Sequence, residues 1–472
     1  MQLEANTRPI PRTLSVFMLA MINIAAIGGV KNWPVLAEYG FSTFFFLLMG
    51  ALLFFLPVAL ITAELATGWP RLGGVYAWVK EAFGHRIGFL AAWFLWIENV
   101  IWYPTILSFT ATTLAYVIDP SLSQNIGYTI AVVLIIFWLM TILNLFGMRV
   151  SGWISTLGAV TGTLVPGLLI IILGAIWWLG GHPLQFQPSW HNLIPDMGNI
   201  QQLVFFTGVM LSYTGIEMSA VHAREVKYPQ RDYPRALLLS FILIVLLYSL
   251  GSLSLSAVVP QAEISLTGGA MQAFEIFLDQ YHLKSTVPLV ALLVVLGALG
   301  SLSTWIIGPC KGLLAAAQGG GLPPSLHKVN RAGIPVRMLL LQGGIVTILT
   351  SLFIIMPSVS SAFWILSALV TQVYLLMYLL LFAAAIRLRY SHPKTIRSYK
   401  VPGGKMGMWG IGGLGICSAL LTLFVGFLPP AQIQTGNYGF YCSFLAIGIF
   451  VVCSLPFLIL GFKKSSWGQI ER

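Results

Sequence analysis

Ala25-Ala26-Ile27-Gly28-Gly29, followed by Asn32-Trp33-Pro34, interrupts one apolar run of membrane-helix length, and Leu211-Ser212-Tyr213-Thr214-Gly215-Ile216-Glu217 interrupts another. Glycine and proline inside a spanning helix free backbone groups that hydrocarbon cannot satisfy, so such breaks persist only against protein or a water-filled cavity. Either break alone reads equally well as a close glycine packing contact. Breaks at matching places in two halves of a chain instead point to a midplane transport site. The freed N–H groups of one half-helix suit a carboxylate, and the freed C=O groups of the other suit an ammonium. Both groups on one carbon define an α-amino acid. Ala26, Ile27, Gly28, Gly29, Ser212, Tyr213, Thr214 and Gly215 are therefore the candidate substrate-binding residues.

The rest of the chain supports a membrane setting. Of 472 residues only 8% are charged and 57% are hydrophobic, where a soluble protein carries about 25% charged residues. That composition excludes a soluble enzyme, a nucleic-acid-binding protein and a disordered chain, despite the formal net charge of +11. Cys310, Cys417, Cys442 and Cys453 sit in apolar stretches without metal-ligand spacing and read as small hydrophobes. A bilayer crossing needs about 20 apolar residues. Runs 13–30, 41–63, 87–118, 120–148, 150–181, 197–216, 236–262 and 285–310 supply eight crossings. Runs 338–386 and 406–462 supply two each, turning near Met356-Pro357-Ser358 and Pro429-Pro430. Twelve spans are expected, with no sign of a cleaved leader before position 13.

Charge sets their orientation. With both termini cytoplasmic, 23 of the 25 Lys and Arg residues fall inside, and only Lys31 and Lys284 fall outside, as the positive-inside rule requires. The expected organisation is an N-terminal segment 1–12, a first five-helix repeat 13–180, a second 197–386, two further helices within 406–462 and a tail 463–472. The loops 181–197 and 259–285 are expected to carry short amphipathic segments.

Three acids fall within spans: Glu64, Glu98 and Glu217. A carboxylate there is costly unless paired, protonated or facing water. Glu64, at a span end, is expected to pair with a loop base or cap a helix. Glu98 and Glu217 have no base inside any expected span, and are the proton-coupling candidates. Trp305 follows Ser301-Leu302-Ser303-Thr304 in span eight, a polar patch that suits a wall of the substrate path. His222 reads as an ordinary loop histidine.

Several motifs together resemble a known family. Glu64-Leu65-Ala66-Thr67-Gly68-Trp69-Pro70-Arg71-Leu72-Gly73-Gly74 is similar to the loop after the second helix of amino acid–polyamine–organocation transporters. Leu211–Glu217, Tyr228-Pro229-Gln230-Arg231-Asp232-Tyr233-Pro234, Trp305-Ile306-Ile307-Gly308-Pro309, Val401-Pro402-Gly403-Gly404-Lys405 and Phe427-Leu428-Pro429-Pro430 resemble its bacterial glutamate:GABA antiporter branch. The resemblance implies an all-α membrane fold, a LeuT-like inverted repeat of five plus five helices with two appended. It implies substrate α-groups at Gly28, Gly29 and Ser212–Gly215, proton sensing at Glu217 and a pathway aromatic at Trp305. Two departures stand out. Ser301 occupies the place of an acid in span eight, and Thr156 that of a lysine found in some proton-coupled relatives. The chain also stops short of the C-terminal plug of acid-resistance members. Together these weigh against glutamate as the cargo.

The expected function is amino acid exchange by alternating access, with H+- or Na+-coupled amino acid symport as the alternative. A sodium ion would use first-span carbonyls with Ser and Thr oxygens of span eight, and Ser301, Ser303, Thr304 and Thr156 are candidates for a polar site that takes either a cation or the substrate. No nucleophile–base pair, His-rich or Cys-rich cluster or phosphate loop accompanies the spans, so no enzymatic activity and no cofactor is expected. The partners expected are amino acids and the lipid bilayer of a bacterial inner membrane, not nucleic acid. The sequence does not set the oligomeric state.

Overall fold

The computed structural model describes residues 15–70, 73–146, 153–154, 156–195, 201–218, 226, 228–431, 433, 435–464 and 467. His222 and the run 219–225 lie outside the described residues. Helices carry the fold. The first break separates α1 (Val16–Ile27) from the short α2 (Trp33–Ala37). Then come α3 (Gly40–Gly68), α4 (Val75–Phe83), α5 (His85–Ile118), α6 (Ile126–Leu145) and α7 (Val160–Leu179). The short α8 (Phe206–Ser212) stops at the second break. It is followed by α9 (Pro229–Val258), α10 (Gly269–Gln280), α11 (Val287–Ala316) and α12 (Val336–Ile355). The chain closes with α13 (Val359–Ser391), α14 (Gly404–Val425) and α15 (Tyr438–Gly461).

Ten of these helices are long and apolar enough to cross a bilayer. The expected first and sixth spans are not among the ten, because the glycine-containing breaks leave each as pieces shorter than a crossing. The two longest charge-free runs divide where turn chemistry predicts. Ser358 caps α13 by accepting from the Ser361 amide at 3.1 Å, and Asn437 caps α15 by accepting from the Phe440 amide at 2.7 Å. Within loop 259–285 lies α10, whose Phe274, Phe277 and Leu278 are buried.

Burial identifies the centre. The most apolar stretch of α5 is 83% buried inside the protein, that of α15 only 17%, so α5 runs through the bundle while α15 presents its side chains outward. Small residues let the central helices touch. A Cβ on Gly162 would lie 2.0 Å from the Gly297 nitrogen, and one on Gly158 2.5 Å from the Leu296 carbonyl oxygen. The π-helical stretch Gly158–Leu164 leading into α7 therefore lies backbone against backbone on α11.

A buried ionic knot ties three segments together beside the end of α3. The Arg389 guanidinium, on the last turns of α13, grips Glu64 in a bidentate pair, with Nε to Oε1 at 2.6 Å and an Nη to Oε2 at 2.5 Å. The Val401 amide donates to the same carboxylate at 2.8 Å, and Arg397 lies 3.4 Å from it. Arg397 also packs on the Trp69 ring, 4.9 Å from its centroid. Glu64 thus pairs with a helix-end arginine and a loop arginine, which agrees with the structural role read from the sequence.

Candidate functional site: a cavity between two broken helices

The first break is a tight turn. The Gly28 amide donates to Ile24 O at 2.7 Å, the Gly29 amide to Ile27 O at 2.7 Å, and a single 3-10 turn, Val30–Asn32, leads into α2. A Cβ at Gly28 would sit 2.7 Å from the Ile24 carbonyl oxygen, which is why glycine stands there. At the second break α8 ends, and Gly215 adopts φ +111°, a backbone angle that side chains with a Cβ rarely reach.

Tyr248 of α9 fastens the two breaks to each other. Its buried hydroxyl donates to Ile27 O at 2.5 Å and to Ser212 O at 3.1 Å, and accepts from Asn32 Nδ2 at 3.0 Å. One proton shared between two carbonyls holds the end of α1 beside the end of α8. Trp305 adds a second tie, its indole N–H reaching Ala26 O at 3.3 Å. Tyr103 of α5 in turn donates to the Trp305 carbonyl at 2.9 Å. Unwound backbone is thereby satisfied inside the protein rather than by lipid.

Beside these ties lies a cavity of about 700 Å³ of empty space, its mouth included. Ala26, Ile27 and Gly29 line it from the first break, Ser212 and Thr214 from the second, and Ser301 and Trp305 from α11. Glu98, Asn99 and Trp102 of α5 form another wall, Gly162 and Thr163 of α7 a further one, and Tyr374 of α13 also reaches it. The Glu98 carboxylate is 2% exposed and accepts from the neighbouring Asn99 amide group.

Other candidates from the sequence stand outside the lining. Gly28 faces Ile24 and Leu247. Tyr213 stacks on Phe55 at 4.9 Å and donates to Leu47 O at 3.0 Å. Gly215 lies behind Trp305, whose ring would be 3.0 Å from a Cβ there. Glu217 is enclosed by two tyrosines: Tyr374 donates to Oε1 at 2.6 Å and Tyr378 to Oε2 at 2.5 Å. Tyr378 also accepts from the Gly215 amide at 2.9 Å, so the carboxylate braces the second break through one hydroxyl. The four residues suggested for a cation do not converge. Ser303 donates to Asn144 Oδ1 at 3.4 Å, Thr304 bonds Gly300 O on an exposed face, and Thr156 is exposed near the start of the π-helical stretch. Only Ser301 lines the cavity.

Lys31 follows the apolar run 13–30 directly in the sequence. Gly28 and Gly29 instead end α1 early, α2 resumes after Lys31, and Lys31 falls at the break, on the cavity wall with Glu98. Glu98 thus shares its cavity with a base. Tyr248 carries only a faint signal in the sequence, as a lone tyrosine in the apolar run 236–251.

With this geometry in view, known proteins supply the decisive comparison. The pattern of the amino acid permease family matches residues 13–452. The chain belongs to that family. The permease is 45% identical to an uncharacterized transporter of Legionella pneumophila, across 95% of this chain and 96% of that protein. It is 34% identical to a glutamate/gamma-aminobutyrate antiporter of Lactococcus lactis, across 95% of this chain and 90% of the other. Family membership and ten apolar helices make the permease a multi-pass membrane protein of a transporter family that acts on small molecules.

Proposed function

We propose that the permease is a secondary amino acid transporter, an exchanger working by alternating access, with its substrate held in the cavity between the two breaks. The observation that carries this reading is the Tyr248 hydroxyl, which binds the ends of both interrupted helices beside one cavity. Helix ends leave N–H and C=O groups aimed at bound charge. The Val30 and Lys31 amides open a 3-10 turn and have no acceptor within it, so they suit an α-carboxylate. Carbonyls at the end of α8 suit the α-ammonium, and Trp305 covers the bound molecule.

On this proposal the ten long helices and the two interrupted ones form twelve spans. Residues 13–180 and 197–386 are inverted repeats, residues 406–462 supply the appended pair, and both termini are cytoplasmic. Bacterial relatives support an inner-membrane location. Glu217, clamped by the Tyr374 and Tyr378 hydroxyls of α13, and Glu98, on the cavity wall, are the groups proposed to carry coupling protons. The relative's glutamate/gamma-aminobutyrate exchange supports antiport over symport.

Tyr248→Phe tests the reading. Removing the hydroxyl takes that partner from the Ser212 carbonyl and the Asn32 amide and leaves Ile27 O with the Gly29 amide alone, at about 1 kcal/mol or more for each buried group left unpaired. The half-saturating concentration of every amino acid exchanged is expected to rise about tenfold or more, while detergent-extracted protein stays monodisperse. Unchanged exchange kinetics would remove the breaks from substrate binding.

A further inference from the structure

We infer that Glu38, at the outer end of α2, is a proton-binding site of the transport cycle: it holds a proton while the outer side of the cavity is closed and releases it as α2 swings open. This rests on the reading of the permease as an alternating-access transporter and goes beyond it by naming a group that neither break contains. Glu38 lies between α2 and α3 and is 4% exposed. Its Oε2 is enclosed without a hydrogen-bond partner, and no base pairs with its carboxyl among the described residues. Fixed contacts at the end of α2 build this enclosure. The Ser256 hydroxyl of α9 donates to Ala37 O at 3.0 Å, the Gln261 side-chain amide to Glu38 O, and the Thr43 hydroxyl to Leu36 O at 2.6 Å. Pro34 packs on Gly269 at the start of α10, 3.0 Å from where a Cβ there would lie. These contacts latch α2 to α9, α10 and the 3-10 turn Gln261–Glu263.

A carboxyl without a partner is least costly in such a place when it is protonated. Burial alone pushes Glu38 from the ordinary carboxylate range up to about 8, and no ionised neighbour offsets it. Tyr39 beside it stacks on Phe46 at 3.9 Å. On the turn Gln261–Glu263 the acid is exposed; on α10 Asp279 is exposed and Glu275 pairs with Lys284 at 3.2 Å. The charged residues of α9 lie at its other end, Tyr248 is bound at the breaks, Lys31 faces Trp102, and α8 has no ionisable side chain. Since α2 is the part of the first span beyond the Gly28-Gly29 break, opening on the outer side must take it off these contacts. Glu38 then meets water, where a carboxyl titrates near about 4.3. Between that value and about 8 the closed form holds a proton that the open form does not. Each unit rise in pH across this window therefore favours opening by up to about tenfold. The proton comes from the outer solution and returns to it, so Glu38 sets how external pH acts on the cycle.

The experiment compares right-side-out with everted membrane vesicles, each with a buffered lumen, so that the bath addresses the outer face in one and the cytoplasmic face in the other. The readout is the rate of exchange, over its half-saturating concentration, for an amino acid the permease carries. In right-side-out vesicles it is expected to fall about tenfold or more as the bath goes from about pH 8 to about pH 5.5. Glu38→Gln has the same shape but no proton to release, so it should be slow and flat across that range, while Glu38→Asp keeps the dependence. In everted vesicles Glu38→Gln should leave the bath-pH profile as it is in the wild type. Hydrogen–deuterium exchange of residues 33–43 in nanodiscs reads the latch without any cargo. The ratio of wild-type to Glu38→Gln exchange, taken at equal pH, should grow about tenfold or more from about pH 5.5 to about pH 8. A ratio constant across pH, or a right-side-out profile that Glu38→Gln does not change, would overturn the inference. Equal changes in both vesicle orientations would also overturn it, by assigning Glu38 to the cavity rather than to the outer face. Vesicles that exchange no amino acid refute the transport reading instead, and hydrogen exchange then still decides on Glu38.

Discussion

Gly162→Ala is expected to abolish the folded, monodisperse protein and with it all transport. Glycine-to-alanine in an exposed helix would normally gain about 1 kcal/mol. Here the added methyl carbon would lie 2.0 Å from the Gly297 nitrogen, 2.3 Å from its Cα and 2.4 Å from the Leu293 carbonyl oxygen. All three are backbone atoms, so no rotamer change relieves the overlap and the helices must separate. Overpacking of a relaxable core already costs about 1–3 kcal/mol, and this contact cannot relax in that way. Separation would also open the cavity wall that Gly162 and Gly297 form together. Gly413→Ala on α14, where a Cβ would meet nothing within 4 Å, is the control and should be neutral. Size-exclusion profiles and thermal unfolding in detergent decide the matter. Equal behaviour of the two variants would show that α7 and α11 are not in backbone contact.

Arg389→Met is expected to have the next largest effect, a destabilisation of about 3–5 kcal/mol. The variant strands the Glu64 carboxylate, 1% exposed, after removing its bidentate partner. Arg397 at 3.4 Å is offset and compensates only in part. Glu64→Met leaves Arg389 buried without its anion and should cost a similar amount. The double variant should cost less than the sum of the two, because neither Glu64 nor Arg389 is then left buried without the other; of the charges, only Arg397 still loses its carboxylate. Thermal unfolding of the three proteins measures this, and additive losses would show that the residues do not act as a pair. The knot joins the end of α3 to the end of α13, the helix whose Tyr374 and Tyr378 hold Glu217. Its loss should therefore reach the second break as well as overall stability.

The breaks were legible because glycine and proline announce them chemically: no other residue explains an interruption in an apolar run. Helix positions were legible for the same reason, since charge and turn residues are scarce and each marks a boundary. Lys31 is hard to place for that very reason. A base ending an apolar run looks like a span end unless the break before it is known to restart as α2. Side-chain direction was the harder part. Ser301, Ser303 and Thr304 lie within one helical turn, so an almost uniformly apolar helix gives no contrast to say which of them faces inward. The structure turns Ser301 to the cavity, Ser303 to Asn144 and Thr304 outward. The π-helical stretches Ala51–Phe55 and Gly158–Leu164 left no pattern to read, because a wider turn shifts the face without changing composition. Tyr248 and the tyrosines around Glu217 come from distant spans, and only packing brings them to the breaks.

The central claim, an amino acid site between two broken helices, is tested most directly by counterflow. Purified permease is reconstituted into proteoliposomes loaded in turn with each amino acid, and uptake of the same labelled amino acid is followed across pH and with or without sodium. At least one α-amino acid should drive accumulation without sodium and with a pH dependence. Liposomes that accumulate no amino acid under any of these conditions would contradict the account.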